Sequence, residues 1–237
     1  MKLWGAHKEK EKKPLKYTLK MNFLPLTFLL YILFVVIFAV ATMGLDLRIS
    51  FGLGESGADI QSILARYNTV GPFYCEGTMS VSGGFSQQEM SGTLKYWQEL
   101  PYYKMEATAS GATTQMIGRP DGVYVYNTEE GKYEKMPDAS QSSQQGIADI
   151  VEQMKGIQGL QVLGKDTING KASTVVQYST SALGITVVQK VWLWDAKGLP
   201  LKIMITMDMG DNDMITTMTF SSYSFGDVPD SVFDISA

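Results

Sequence analysis

The chain has 237 residues, of which 45% are hydrophobic and 19% are charged, a balance that is ordinary for one folded domain with an additional segment and excludes disorder as its main state. Residues 46–237 carry 13 basic and 22 acidic side chains, so this part of the chain is not expected to bind nucleic acid. Cys75 is the only cysteine, which excludes an intrachain disulfide and a thiolate metal cluster.

The first 45 residues predict a membrane anchor. Residues 1–20 form a basic tail with seven lysines, and residues 21–45 contain no charged side chain. A helix over Phe23–Met43 is about 30 Å long, which matches the hydrocarbon core of a bilayer. Because basic flanks stay in the cytoplasm, we expect a single-pass protein of the cell membrane with a cytoplasmic N-terminus and an extracytoplasmic C-terminal part.

A cleaved signal peptide is the alternative, because Ala39-Val40-Ala41 has the small-x-small form that signal peptidase accepts. The uncharged segment is longer than the apolar core of a usual signal peptide, about 7 to 15 residues, and this favours a retained anchor. Residues 46–56 then form a linker, and residues 57–237 form the extracytoplasmic domain.

Two short amphipathic helices are predicted in this domain, each with apolar residues at the i, i+3, i+4, i+7 spacing of a single stripe. In the first helix these residues are Ile60, Ile63, Leu64 and Tyr67. In the second they are Ile147, Ile150, Val151 and Met154, and Gly156 ends the helix. Helices of about three turns are not stable alone, so each is expected to pack its apolar side against a sheet.

Alternation of apolar and polar residues predicts eleven strands. In residues 73–81 the residues Phe73, Cys75, Met79 and Val81 alternate with polar neighbours, as in a strand with one face exposed to water. The other strands are predicted at 89–98, 102–109, 112–118, 122–127, 132–136, 160–167, 172–180, 185–195, 200–209 and 213–225. Short Gly- and Asn-containing turns separate them. The predicted fold class is therefore α+β, mostly antiparallel β.

A meander of this length coils, so one of its faces becomes an inner surface that closes on itself or wraps around the helices. Alternation assigns eleven candidate ligand-binding residues to this face: Phe73, Met79, Leu94, Tyr96, Tyr103, Met105, Ile203, Ile205, Met207, Met218 and Phe220. Methionine suits a lining that adapts to a guest, but it is also an ordinary core filler. Periodicity alone thus predicts a large apolar interior and does not establish a cavity.

Aromatic residues are concentrated around Pro101, namely Tyr96, Trp97, Tyr102 and Tyr103. One interpretation places them on the rim of the curved sheet, where an amphipathic ring meets lipid and water. The other is ordinary cross-strand packing.

The sequence offers little catalytic chemistry. His7 is the only histidine and lies in the basic tail, so the domain is expected to contain neither a Ser-His or Cys-His dyad nor a histidine metal ligand. The acidic turn at 208–213 lacks the order of oxygen ligands found in an EF-hand loop. We therefore expect no enzymatic activity, no metal and no cofactor.

The order of the elements and several loose motifs resemble the lipoprotein-carrier superfamily of LolA and LolB, over residues from about 57 to the C-terminus. These motifs are Gly92-x-Leu94 followed by Pro101 and an aromatic-basic pair, Asp121-Gly122 before an aromatic strand, Trp192–Pro200 and Pro229–Phe233. The resemblance implies an incompletely closed antiparallel barrel, lidded by helices, whose hydrophobic cavity receives acyl chains. Such carriers often have an arginine just before the proline of the first long hairpin, whereas this chain has Leu100 there.

Two functions are compatible with these expectations. In the first, the membrane-anchored domain holds lipid or a lipidated polypeptide in a hydrophobic cavity, for lipid or lipoprotein trafficking. In the second, the domain is an envelope scaffold or sensor that binds a partner protein on its outer surface, and its interior is filled core.

Overall fold

The computed structural model describes residues 57–83, 89–136, 146–157, 160–182, 185–208 and 213–236. The predicted basic tail, membrane-spanning helix and linker lie outside these ranges. Within the described ranges, no helix has the length and apolar character needed to cross a bilayer.

Two α-helices and two short 3-10 helices are formed by the described residues. Helix α1 covers Gly57–Arg66 and continues into a 3-10 turn at Tyr67–Thr69. Helix α2 covers Ile147–Gly156 and ends at the predicted glycine. The second 3-10 helix covers Asp230–Phe233.

All eleven predicted strands are present, and their ends differ from the prediction by at most two residues. The strands are β1 Phe73–Gly83, β2 Met90–Glu99, β3 Tyr102–Ala109, β4 Ala112–Arg119, β5 Gly122–Asn127, β6 Lys132–Lys135, β7 Gln161–Ile168, β8 Lys171–Ala182, β9 Ile185–Trp194, β10 Pro200–Asp208 and β11 Met214–Phe225.

The strands form one antiparallel sheet in the order β6-β5-β4-β3-β2-β1-β11-β10-β9-β8-β7. Two meanders, β1–β6 and β7–β11, are joined where β1 pairs with β11. Among the described residues β6 and β7 do not pair with each other, so the sheet is not closed. The prediction of a mostly antiparallel and incompletely closed sheet is confirmed.

The seam between β1 and β11 runs from the pair Phe73 and Phe225 to the pair Gly83 and Met214. Its register shifts at Gly77, and bulges of this kind bend a strand and increase its twist. A Cβ atom on Gly77 would lie 2.2 Å from the backbone oxygen of Thr219. The two halves of the sheet therefore approach each other at a position where only glycine fits without a shift of the backbone.

Both helices cover the inner face of the sheet. Strands β6 and β7 follow each other in sequence but lie at opposite edges, so the connection that contains α2 has to cross from one edge to the other. The buried apolar residues of the two helices belong to the same core cluster as the inner face of the sheet: Ile60, Ile63, Leu64, Ile147, Val151 and Met154. The predicted helical lids are thus present.

A smaller core lies on the outer face of the sheet. The C-terminal segment, residues 226–236, buries Val228 and Phe233 against Ile117 of β4, together with half-buried Trp97 and Tyr102. Ile117 is fully buried, and its neighbour Met116 is buried in the main core. Strand β4 is therefore covered on both faces.

The free edges carry features that oppose strand addition. On β6, Lys132, Glu134 and Lys135 are exposed, and charged side chains on an edge discourage pairing with another chain. On β7 the register shifts between Val162 and Gly164, which interrupts the regular row of backbone groups.

We predict that Gly77→Ala destabilises the domain by about 1 to 3 kcal/mol, because the added methyl group meets backbone rather than a flexible side chain. The measurement is urea-induced unfolding of the full chain in a nonionic detergent, followed by tryptophan fluorescence. Gly71→Ala is the matched control, since a Cβ atom there has nothing within 4 Å. Equal unfolding midpoints for the two variants would contradict the account of the seam.

Candidate functional site: the helix-covered inner face

The eleven predicted site residues all lie in or against the main core cluster. Nine are buried, with exposed fractions of 0 to 4%: Phe73, Met79, Leu94, Tyr96, Tyr103, Ile203, Ile205, Met207 and Phe220. The other two, Met105 and Met218, are half-buried and pack against the same cluster. Alternation therefore assigned every one of these residues to the correct face of the sheet.

Five methionines on the four central strands form what we call the methionine patch: Met79, Met90, Met207, Met214 and Met218. The strand register places Met79 opposite Met218, Met207 opposite Met214, and Met90 opposite Val81 of the neighbouring strand. Three members, Met90, Met214 and Met218, are only half-buried. The patch is thus a part of the inner face that keeps some exposed apolar surface.

Most of the inner face is accessible only if the helices move. A side chain that borders a space large enough for water keeps some accessible surface, but Phe73, Leu94 and Ile203 keep at most 2% of theirs. A guest that reaches these residues must therefore take the place of apolar side chains from the helices.

A chain of buried hydrogen bonds joins both helices to β2. The Tyr96 hydroxyl accepts the N–H of Ile147 at 2.9 Å and donates to Oε1 of Gln98 at 2.9 Å. The Gln98 side-chain amide donates to the Tyr67 hydroxyl at 2.5 Å. Since Ile147 begins α2 and Tyr67 follows α1, this chain positions the two helices relative to the same strand.

Close packing around Gly146 fixes the start of α2 on the sheet. A Cβ atom on Gly146 would lie 2.5 Å from the Tyr96 hydroxyl and 3.2 Å from the Tyr103 ring. The Tyr96 and Tyr103 rings are stacked, with centroids 6.1 Å apart. Gly118 leaves room for the Tyr103 ring from the adjacent strand.

The Asp149 carboxylate lies in the first turn of α2 and accepts the N–H of Gly146 at 2.7 Å. Burial raises the pKa of Asp149 to about 7, and the hydrogen bond from Gly146 opposes this increase. The carboxylate therefore caps the helix while it carries a desolvation cost whenever it is ionised.

The other end of α2 is joined to the turn after α1. The Lys155 ammonium group donates to the Asn68 side-chain oxygen at 2.7 Å, pairs with Glu152, and lies 5.9 Å from the centroid of the Tyr67 ring. Lysine near a helix C-terminus also interacts favourably with the helix dipole. Polar contacts thus hold α2 at both ends, and apolar contacts hold its middle.

The aromatic residues around Pro101 do not form a rim. Tyr96 and Tyr103 face the core, whereas Trp97 packs on Tyr74 with centroids 4.9 Å apart and Tyr102 packs on Phe233 at 5.8 Å. Alternation divides the group between the two faces of the sheet. Cross-strand and tertiary packing is therefore the correct interpretation.

The sequence analysis did not identify Gln98, Asp149, Met90 and Met214 as parts of this site. Three of them could have been assigned to the inner face from the sequence. Gln98 and Met90 continue the inward alternation of β2, and Met214 continues that of β11. For Asp149, the only indication in the sequence is its position in the first turn of the predicted helix.

The described residues provide little reactive chemistry. Among them, no group of three His, Cys, Asp or Glu side chains is arranged to hold a metal ion. Cys75 is buried, and burial raises the pKa of its thiol. What the inner face offers is apolar surface covered by two helices.

We predict that Tyr96→Phe loosens α2, because the Ile147 N–H and the Gln98 side chain lose their buried partner at a cost of about 1 to 3 kcal/mol. Hydrogen exchange measured by mass spectrometry should show faster exchange in residues 146–157. Tyr178→Phe is the control, since the Tyr178 hydroxyl donates to Gln189 at 2.7 Å within the sheet. If both variants leave exchange in α2 unchanged, the hydrogen-bond chain does not hold this helix.

We predict that Asp149→Asn makes the domain more stable than the natural chain at about pH 8.5. The folded-state pKa of about 7 lies above the usual value of 3.8, so folding favours the protonated carboxyl group. Its contribution to stability is complete below about pH 4 and is lost as the pH rises through about 7.

The melting temperature, measured from about pH 5 to 8.5, tests this prediction. Asn keeps an oxygen for the Gly146 N–H, so the advantage of Asp149→Asn should shrink as the pH falls. Asp59→Asn, at an exposed aspartate in the first turn of α1, controls for the change in net charge. If the melting temperature of Asp149→Asn exceeds that of the natural chain by an amount that does not vary with pH, the raised pKa of Asp149 is refuted.

No protein-family model and no curated protein matches this chain. Among solved structures, a LolA superfamily protein from Nitrosomonas europaea matches at 12% identity over 74% of this chain and 97% of that one, with a TM-score of 0.40. The MucA/MucB complex of Pseudomonas aeruginosa matches at 16% identity over 74% of this chain, with a TM-score of 0.48, and this chain spans 60% of the matched one. A lipoprotein-sorting protein domain from Vibrio parahaemolyticus matches at 15% identity, 74% and 94% coverage and a TM-score of 0.38. The superfamily that the sequence motifs resemble is thus also found among the solved structures to which this chain is similar.

Proposed function

We propose that the protein is a membrane-anchored extracytoplasmic binding protein that holds a lipid acyl chain or a lipidated polypeptide against the inner face of its sheet, in lipid or lipoprotein trafficking. The observation that carries the proposal is the methionine patch, which is apolar and partly accessible. Methionine side chains adapt to guests of different shape.

The apolar side chains of α2 and an acyl chain gain similar free energies when they are buried. Helix α2 contributes three buried apolar side chains, Ile147, Val151 and Met154, each worth about 1.5 to 3 kcal/mol on burial. An acyl chain of about twelve methylene groups gains about 10 kcal/mol at roughly 0.8 kcal/mol per CH₂. For an acyl chain taken from water, this gain is of the same order as the burial of the α2 side chains, and we propose that such a chain takes the place of α2 on the inner face once the polar contacts of the helix are broken.

A membrane anchor is consistent with a role in binding acyl chains. The basic tail and the uncharged segment at 21–45 support a single membrane span with the domain outside the cytoplasm. Such a span keeps the inner face within reach of the bilayer from which acyl chains come. Burial of apolar surface drives the binding, so the proposed function involves no catalytic residue and no cofactor.

Site-specific photocrosslinking tests the proposal. We predict that a photoreactive amino acid at Met218 in the full chain, in native membrane vesicles, crosslinks to lipid or to a lipidated polypeptide. Thr217 is the matched control, because it directly precedes Met218 in β11, is also half-buried and points to the opposite face. Mass spectrometry of the purified adducts identifies the crosslinked molecule.

Crosslinks to lipid that are strong at position 218 and weak at position 217 support an inner-face guest. Equal yields of lipid at the two positions, or no lipid at either, contradict it.

The second candidate function is that of an envelope scaffold or sensor. It is favoured by three large apolar side chains that are exposed among the described residues: Leu100, Leu163 and Phe225, at 63, 47 and 42%. A photoreactive group at Leu100 that captures a polypeptide, with no lipid captured at Met218, would favour this function over the first.

A further inference from the structure

The outer face of the sheet carries a cleft that the proposed lipid site does not use. The C-terminal segment and the neighbouring strand ends enclose about 440 Å³, lined by Tyr102, Arg119, Asp230, Ser231, Phe233 and Asp234. The C-terminal segment that forms one wall of the cleft is held on the sheet, because Phe233 and Val228 are buried against Ile117. It lies across the sheet from the methionine patch.

The cleft has an apolar floor and a polar rim. Phe233 is buried, Tyr102 is half-buried, and their rings pack with centroids 5.8 Å apart. Asp230, Ser231 and Asp234 are exposed. A molecule that fills the cleft therefore meets aromatic surface along its length and carboxylates at its mouth.

The charges at the rim are not balanced. Arg119 lies beside Asp121, with 3.5 Å between Nε and Oδ1. Asp234 accepts hydrogen bonds from the backbone N–H and hydroxyl of Ser236. These hydrogen bonds lower the pKa of Asp234, and the positive charge of Arg119 also contributes to the lowered pKa. Within the described part of the chain, neither Asp230 nor Asp234 forms an ion pair. The C-terminal segment adds Asp227 and contains no lysine or arginine, so this region has an excess of negative charge.

We propose that this cleft binds a basic side chain, arginine above all, from a polypeptide partner. Arginine combines an apolar stem with a positively charged head, and its planar guanidinium group both stacks on aromatic rings and pairs with carboxylates. An acidic side chain would be repelled, and a neutral apolar one would leave the carboxylates without a counter-charge.

This inference goes beyond the proposed lipid binding and does not depend on it, since the two sites lie on opposite faces of the sheet. The test uses the full chain in detergent micelles and saturation-transfer difference NMR, which detects weak ligands. The probes are N-acetyl-arginine amide, N-acetyl-norleucine amide and N-acetyl-glutamate amide, with phosphoethanolamine as a representative lipid headgroup.

We expect the arginine probe to give the strongest signals and its affinity to fall about threefold in Asp230→Asn. Asp227→Asn is the matched control, because it removes the same charge from the same segment outside the cleft lining. The signals of the arginine probe should also weaken as salt screens the carboxylates.

Three results would overturn the proposal. The first is an affinity for the arginine probe that is the same in the natural chain and in Asp230→Asn. The second is a preference for the glutamate probe that is lost in Arg119→Gln, which would make the cleft an anion site. The third is tighter binding of phosphoethanolamine than of the arginine probe, which would point to a lipid headgroup instead of a polypeptide.

Discussion

The pairing of β1 with β11 is the interaction on which the rest of the structure depends. It joins strands that are more than 130 residues apart in sequence and makes one eleven-stranded sheet from two meanders. Phe73, Met79 and Phe220, which lie near the centre of the core, all belong to these two strands. The same pairing places β6 and β7 at opposite edges of the sheet. Helix α2, which lies between these strands in sequence, packs on the inner face through its apolar side chains.

Much of the fold could be predicted because side-chain alternation is a local property. Successive residues of a strand point to opposite faces, so the apolar series in β1, β2, β10 and β11 identified the inner face without knowledge of any strand pairing. The pairing of β1 with β11 could not be predicted in this way, because it depends on contacts across most of the domain. The second core was missed for a related reason. Met116 and Ile117 are adjacent and both buried, whereas the alternation pattern predicts a strand with one face exposed to water.

The polar part of the candidate site was harder to predict than its apolar part. Gln98 lies at an inward position of β2, but a single polar residue near the end of an apolar series is usually taken for the point where the strand reaches solvent. Its role depends on Tyr67, which is 31 residues away and contacts Gln98 only when α1 is packed on the sheet. Asp149 is similar, since its burial depends on the whole arrangement of helix and sheet. Local patterns indicate which face is apolar, but the hydrogen bonds that hold a lid require the three-dimensional structure.

The two free edges of the sheet have a consequence if the proposed anchor holds copies of the protein on one membrane surface. Exposed lysine and glutamate on β6 and the irregular register of β7 make it unfavourable for one copy to extend its sheet with a strand from the next. An unprotected sheet edge is a template for pairing with another chain, and this hazard increases with local concentration. An incompletely closed sheet with protected edges can remain dispersed at high surface density.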